Sequence, residues 1–295
     1  MSRIQELFKQ KNKRVLNVYC TAGYPTLEST TEIIANLQQN GADLIEIGMP
    51  YSDPLADGEV IQQSSALALE NGMSIQILFE QLAGLPHPPP GGREVPLILM
   101  GYMNPILQFG FQKFCALAAE VGVDGLILPD LPIHEYETEY AKIISCFELD
   151  FIFLITPETS DERIRKIDEL STGFIYVVSS SATTGHTKNI DDQQEYFQRL
   201  QNMQLKNPLL VGFGIKDKAT FDAACKYTNG AIIGSAYIKA LAPQAPAIKG
   251  EESEEGPTLK EGEREETPTL KGGESKFERS DVQSITKQFL EGILR

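Results

Sequence analysis

The chain has 295 residues, 41% of them hydrophobic, enough for one large barrel or two ordinary domains with a sizeable core. Its formal net charge is −15, with a sequence pI near 4.7. That excess of acid, with no basic patch to offset it, argues against a nucleic-acid binder or a protein held on anionic membranes, and no run has the length of a membrane span. Four widely spaced cysteines without a C-x-x-C pair read as free thiols of a reducing cytoplasm. His87, His134 and His186 have no ligand spacing, so no metal site is expected.

Strand and helix signals alternate along the chain. MSRIQELFKQKNKR reads as an amphipathic helix rather than a signal peptide, and RVLNVYC as the first strand, Arg14 to Cys20, followed by the loop Thr21-Ala22-Gly23-Tyr24-Pro25-Thr26. Helical spacing at Ile33, Ile34 and Leu37 stops at Gly41. Leu44 to Ile47 is the second strand. A turn-rich loop runs to Gly58, and helices follow from about Glu59 to Glu70 and near Ser74 to Leu82. Pro86 to Gly92 is a Pro/Gly-rich surface connection. Val95 to Met100 is strand three, Phe111 to Val121 a helix, and Gly125 to Leu128 strand four, ending in Pro129-Asp130-Leu131-Pro132. A helix from about Glu135 leads to strand five, Phe151 to Ile155. Thr156 to Ser160 then caps a helix containing Ile164, Ile167 and Leu170. Strand six is Phe174 to Val178, with the loop Ser179 to His186 after it. A helix near Asp191 to Met203 precedes strand seven, Leu209 to Gly212; Gly214-Ile215-Lys216 opens another. Strand eight is Ala231 to Ile233, and Gly234-Ser235 opens a last short helix.

Eight short apolar strands, each followed by helical sequence, predict an α/β fold of the (β/α)8 TIM-barrel type over residues 1–242. A doubly wound open sheet is the other candidate, but the turn after the first strand lacks the G-x-G-x-x-G of a dinucleotide site. Residues 243–280 break the pattern. They are rich in Glu, Gly, Pro, Lys and Thr and contain an imperfect duplication, EEGPTLKEGE and EETPTLKGGE. This composition reads as a disordered acidic insertion, either an expanded loop or a docking segment, ahead of a closing helix within residues 281–295.

In such a barrel, chemistry gathers at the carboxyl ends of the strands, and phosphate binds at the loops after strands seven and eight. Gly212-Phe213-Gly214-Ile215 and Gly234-Ser235-Ala236 stand there, and Thr184-Gly185 follows strand six. Glycine lets backbone N–H groups approach an anion closely. Glu46 alternates with Ile45 and Ile47, which places it toward the interior if the isoleucines face the covering helices. Asp57 follows in the loop. Both are candidates for acid–base catalysis or for structural roles: a hydrogen-bonded carboxylate at Glu46, a helix cap at Asp57. Asp53 before Pro54 reads as turn chemistry, Asp130 as structural, interfacial or catalytic, and Tyr102 and Tyr176 as pocket or core. No strand ends in Lys, which disfavours a Schiff-base aldolase, and no P-loop or nucleophile elbow is present.

The run IEIGMPYSDPLADGEVIQ resembles the signature of the tryptophan synthase alpha subunit family, E-[LI]-G-x-P-[FY]-S-D-P-x-A-D-G-x-x-I-Q. LMGYMNP at 99–105, GVDG at 122–125, PDLP at 129–132, GFGI at 212–215 and GSA at 234–236 follow in the family's order. The resemblance covers residues 1–242 and the closing helix. It implies a retro-aldol lyase that converts indole-3-glycerol phosphate to indole and glyceraldehyde 3-phosphate. Glu46 would be the acid–base group and Asp57 the acceptor of the indole N–H. Tyr19, Met100, Tyr102 and Tyr176 would line the indole pocket, and Thr184, Gly185, Phe213, Gly214, Gly234 and Ser235 the phosphate end. It further implies no cofactor in this chain and an alpha2beta2 assembly in the cytoplasm with a beta subunit that carries pyridoxal phosphate and receives the indole. A stand-alone lyase and a catalytically weak scaffolding subunit are the alternatives. Ala182-Thr183-Thr184-Gly185 departs from the family's G-V-T-G, and the acidic insertion is not a general family feature.

Overall fold

The computed structural model describes residues 1–85, 95–179, 194–212, 214–242 and 279–295. The Pro/Gly connection after residue 85, most of the loop after strand six and the 243–280 insertion lie outside the described residues, apart from the first residues of the closing helix.

Nine parallel strand segments form one sheet: β1 Val15–Thr21, β2 Leu44–Gly48, β3 Leu97–Met100, β4 Gly125–Ile127, β5 Asp150–Phe151, β6 Leu154–Ile155, β7 Ile175–Val178, β8 Leu209–Gly212 and β9 Gly230–Ile233. Their spatial order is β5-β4-β3-β2-β1-β9-β8-β7-β6. The two ends are halves of one stretch. β5 pairs with β4 and β6 with β7, while across the gap Ile152 N–H donates to Leu126 O at 3.0 Å and Phe153 O accepts from Tyr176 N–H at 2.9 Å. The predicted strand five therefore breaks in its middle, yet it joins its neighbours on both sides and closes the sheet. The architecture is the TIM barrel, its strands wholly apolar where helices cover them.

Local sequence sets the helix starts. Ser2 caps the Arg3–Gln10 helix in a reciprocal box with Gln5, Ser74 accepts from Ile77 N–H ahead of Ile75–Ala83, and Ser160 does the same for Asp161–Leu170. Two elements differ from expectation. The helix after β8 begins at Lys218 rather than at Gly214, because Asp217 caps Thr220 N–H and leaves 214–216 as a turn. A helix missed in the sequence, Met103–Phe109, starts directly after β3; Met103 N–H donates to both oxygens of Asp130, at 3.1 and 3.0 Å, so Asp130 has a structural role at that helix start.

The Arg3–Gln10 helix covers the amino-terminal ends of the strands, with Ile4, Leu7 and Phe8 buried. Arg3 donates to Asp124, the residue before β4, and to Gly122 O; Lys11 Nζ reaches Asp43, the residue before β2, at 2.5 Å. Both aspartates also accept a backbone N–H from the adjoining strand, Leu97 and Leu16 respectively. With that end bound to the N-terminal helix, the carboxyl-end loops form the other mouth. The closing helix, Arg279–Leu294, packs on the Ser29–Gln39 helix, and Tyr237 is hydrogen-bonded to its Thr286 at 2.7 Å.

Candidate active site

β2 carries Glu46 into the barrel at the level of Tyr19 on β1 and Ile98 on β3. Its side chain is 1% exposed. Asn17 Nδ2 donates to Glu46 Oε2 at 2.9 Å, and Oε1 has no hydrogen-bond partner among the described residues. Burial raises this carboxyl from its ordinary range to about 8; the Asn17 hydrogen bond opposes the rise and the nearby Asp57 charge adds to it.

Asp57 is placed by the loop that follows β2. Leu55 N–H donates to Asp53 O, and Asp57 N–H to Pro54 O, so 53–57 folds as a tight turn, as the Asp53-Pro54 step predicts. Gly58 then caps the Glu59–Glu70 helix. Tyr102, at the end of β3, donates its hydroxyl to Asp57 Oδ2 at 2.9 Å and accepts Ala56 N–H at 3.1 Å. Burial raises Asp57 to about 6, with the Tyr102 hydrogen bond holding it lower than it would otherwise be. The two carboxyls thus differ: near neutral pH, Glu46 is largely protonated while Asp57 is largely ionised.

Both line one pocket, together with Tyr19, Gly58, Ile61, Met100, Tyr176, Gly214, Ile215, Ile232, Gly234 and Ser235. The phenols of Tyr19 and Tyr176 lie across glycines of the neighbouring strands. A methyl group at Gly48 would overlap the Tyr19 hydroxyl, and one at Gly212 the Tyr176 ring. Burial, and then the Asp57 and Glu46 charges, push the Tyr19 hydroxyl well above its usual range. Burial and then Glu46 do the same to Tyr176, so both stay neutral donors. At the other end of the pocket Gly214 has φ +79, a left-handed conformation that favours glycine, and Gly234 precedes the Ser235–Leu241 helix.

Of the residues singled out in the sequence, Glu46, Asp57, Tyr19, Met100, Tyr176, Gly214, Gly234 and Ser235 come together here, and Tyr102 joins them through Asp57. Thr184, Gly185 and Phe213 lie outside the described residues. Sequence reading passed over Asn17, Gly58, Ile61 and Ile232, and named Ile215 only as part of the turn after strand seven. Asn17 left a signal: it is the polar member of RVLNVYC, two residues before Tyr19 and so on the same face. Among the described residues no cluster of three or more His, Cys, Asp or Glu is placed to hold a metal ion.

Comparison with known proteins places the chain as a whole. The family profile described as "Tryptophan synthase alpha chain" matches residues 5–265. The tryptophan synthase alpha chain of Flavobacterium johnsoniae is 54% identical over 242 residues, 82% of this chain and 94% of that protein. That of Bacteroides fragilis is 52% identical over 242 residues, 82% and 90%. Among solved structures, the tryptophan synthase alpha subunit of Legionella pneumophila superposes with a TM-score of 0.72 at 35% identity, over 81% of this chain and 88% of that one. The profile spans well over half of the sequence, and with relatives more than 50% identical over 242 residues the chain belongs to the tryptophan synthase alpha chain family.

Proposed function

We propose that this chain cleaves indole-3-glycerol phosphate to indole and glyceraldehyde 3-phosphate by carboxyl acid–base catalysis, as a lyase of tryptophan biosynthesis. The observation that carries the reading is the pair of carboxyls lining one pocket, Glu46 buried and Asp57 partly buried, with pKa values set apart, about 8 for Glu46 and about 6 for Asp57. Two acids in unlike environments supply an acid and a base at the same pH.

Glu46 in its acid form gives its proton to C3 of the indole ring, and the ring nitrogen takes up the positive charge. Asp57 as carboxylate accepts the indole N–H and stabilises that charge. Glu46, now a carboxylate, takes the proton of the glycerol hydroxyl next to the ring. The electron pair of the broken O–H bond becomes the second carbon–oxygen bond of the aldehyde, the carbon–carbon bond to C3 breaks, and its electron pair restores the aromatic indole. One proton leaves Glu46 and one returns, so the residue ends in its starting form.

Tyr19, Met100 and Tyr176 form the apolar and aromatic wall for the indole. Gly234 and Ser235, at the start of the Ser235–Leu241 helix where backbone N–H groups have no partner within the helix, and Gly214 hold the phosphate, with Thr184, Gly185 and Phe213 assigned to the same end. The turn at 53–57 presents Leu55, 85% exposed, and this is the face we assign to a beta subunit of an alpha2beta2 assembly in the cytoplasm. Pyridoxal phosphate chemistry belongs to that partner, which takes the indole on to tryptophan.

The test is single-turnover reaction of the purified chain with indole-3-glycerol phosphate, following both products. Indole and glyceraldehyde 3-phosphate formed in equal amounts, and lost in Asp57→Asn, support the reading. Products formed equally well by Asp57→Asn contradict the role given to that carboxylate.

A further inference from the structure

Asn17 is an amide in an apolar layer. On the barrel interior it pairs in register with Leu44 on β2 and Ile232 on β9, and it is 0% exposed. A buried amide costs free energy unless its groups are bonded, and Asn17 is only half bonded. Nδ2 donates to Glu46 Oε2 at 2.9 Å, whereas Oδ1 has no hydrogen-bond partner among the described residues. Leucine has nearly the same shape and would fill the layer without that cost. What asparagine adds is one directed donor, aimed at one oxygen of the carboxyl in the pocket.

Resting on the lyase reading above, we propose that Asn17 is a positioning residue for Glu46, fixing Oε2 by its amide N–H so that Oε1 is the atom that exchanges protons with the substrate. The asymmetry of the carboxyl follows from the geometry. Oε2 is held by a partner rooted in the neighbouring strand, two residues deeper than Tyr19, while Oε1 is buried without one in a group that lines the pocket. A carboxyl tied at one oxygen loses the freedom to exchange its two oxygens, so the acid proton stays on the side facing the ring. The same hydrogen bond favours the carboxylate, the form that must accept the hydroxyl proton in the second half of the reaction.

Glu46 faces Tyr19 and Cys20 on β1 and Tyr176 on β7, whose pKa values its charge raises, and Asp57 in the loop after β2, whose charge raises its own. The two tyrosines and the cysteine are neutral, their own pKa values raised by burial. Among the described residues Asp57 is therefore the one charged group that acts on Glu46, and it acts in the opposite sense to Asn17 by raising the Glu46 pKa.

The experiment uses Asn17→Leu, equal in shape without the donor, and Asn17→Asp, equal in shape with an acid in its place. In kinetics with indole-3-glycerol phosphate, Asn17→Leu is expected to lower kcat roughly tenfold with KM within about twofold, and to move the alkaline limb of the pH–rate profile up by about one unit, since a donor to the charged form has been removed. Asn17→Asp moves the limb further up, because two adjacent acids share a proton. A direct readout does not depend on turnover: infrared difference titration of the buried carboxyl, with Glu46→Gln as blank, should show the same upward shift. Absence of indole release by the wild type would sink the lyase reading and leave this titration standing as the test of the Asn17–Glu46 link. A Glu46 titration unmoved in Asn17→Leu, or moved downward, overturns the positioning role. A loss of stability with unchanged pH profile does so too, since it is what a packing role alone would give.

Discussion

The Tyr102 hydroxyl donates to Asp57 Oδ2 at 2.9 Å while accepting the N–H of Ala56 at 3.1 Å, so one phenol holds both the carboxylate and the backbone of the turn that carries it. In Tyr102→Phe both bonds go. Loss of a donor to the charged form raises the Asp57 pKa above about 6, so the acid limb of the activity profile moves toward neutrality. The kcat/KM at pH 7 should fall on the order of tenfold, the usual cost of one bond to a charged group. Steady-state kinetics across pH checks both; an acid limb left in place would contradict the coupling.

The wild-type profile itself follows from the two carboxyls. Asp57 must be ionised, so activity falls below about 6; Glu46 must start protonated, so activity falls above about 8. The kcat/KM profile of the free enzyme is expected to be bell-shaped with a plateau between those values. In Asp57→Asn the acid limb should disappear with most of the activity, and the alkaline limb of the residual rate should move to lower pH, because the Asp57 charge that raises the Glu46 pKa is gone.

Glu46 also makes the fold sensitive to alkali. Its folded pKa of about 8 lies above its ordinary value of 4.5. The folded state therefore favours the protonated form, so the group's contribution is intact below 4.5, is lost progressively as pH climbs to about 8, and stays lost above that. Glu46→Gln, neutral at every pH, escapes this loss. Thermal or urea unfolding should show the variant gaining on wild type from pH 5 to pH 9, by an amount on the order of a few kcal/mol. Parallel stability curves for the two proteins would contradict the burial of an acid at this position.

Tyr237 and Thr286 are both fully buried and bonded at 2.7 Å, tying the helix after β9 to the closing helix. Tyr237→Phe leaves the threonine hydroxyl without this partner and should lower unfolding stability by about 1–3 kcal/mol. Indole release at 25 °C should be unchanged, because the pair is not among the residues that line the pocket.

Much of this was legible in the sequence because barrel strands advertise themselves. LIEIG and LLVG are short, apolar and punctuated by glycine, and the one carboxylate inside LIEIG points to the interior by simple alternation. Strand five was less legible. Its hydrogen bonds pass from one neighbour to the other at Ile152-Phe153, a feature of barrel closure that no residue type encodes. The helix at 103–109 was hidden because Asn104-Pro105 reads as a loop, whereas a proline in the first turn of a helix costs nothing. Asn17 was passed over because asparagine in a strand reads as a defect until its partner is seen. The Asn17–Glu46 bond links residues 29 apart in sequence, and only the parallel register of β1 and β2 brings them together.

The most direct measurement is indole release from indole-3-glycerol phosphate by the wild-type chain and by Glu46→Gln, each alone and with a beta subunit. Slow release by the wild type, accelerated by the partner and abolished by Glu46→Gln in both conditions, is the predicted result. Fast release that the partner leaves unchanged would point to a lyase that works alone. Release by Glu46→Gln at the wild-type rate would contradict the assignment of Glu46 as the acid–base group, and with it the mechanism.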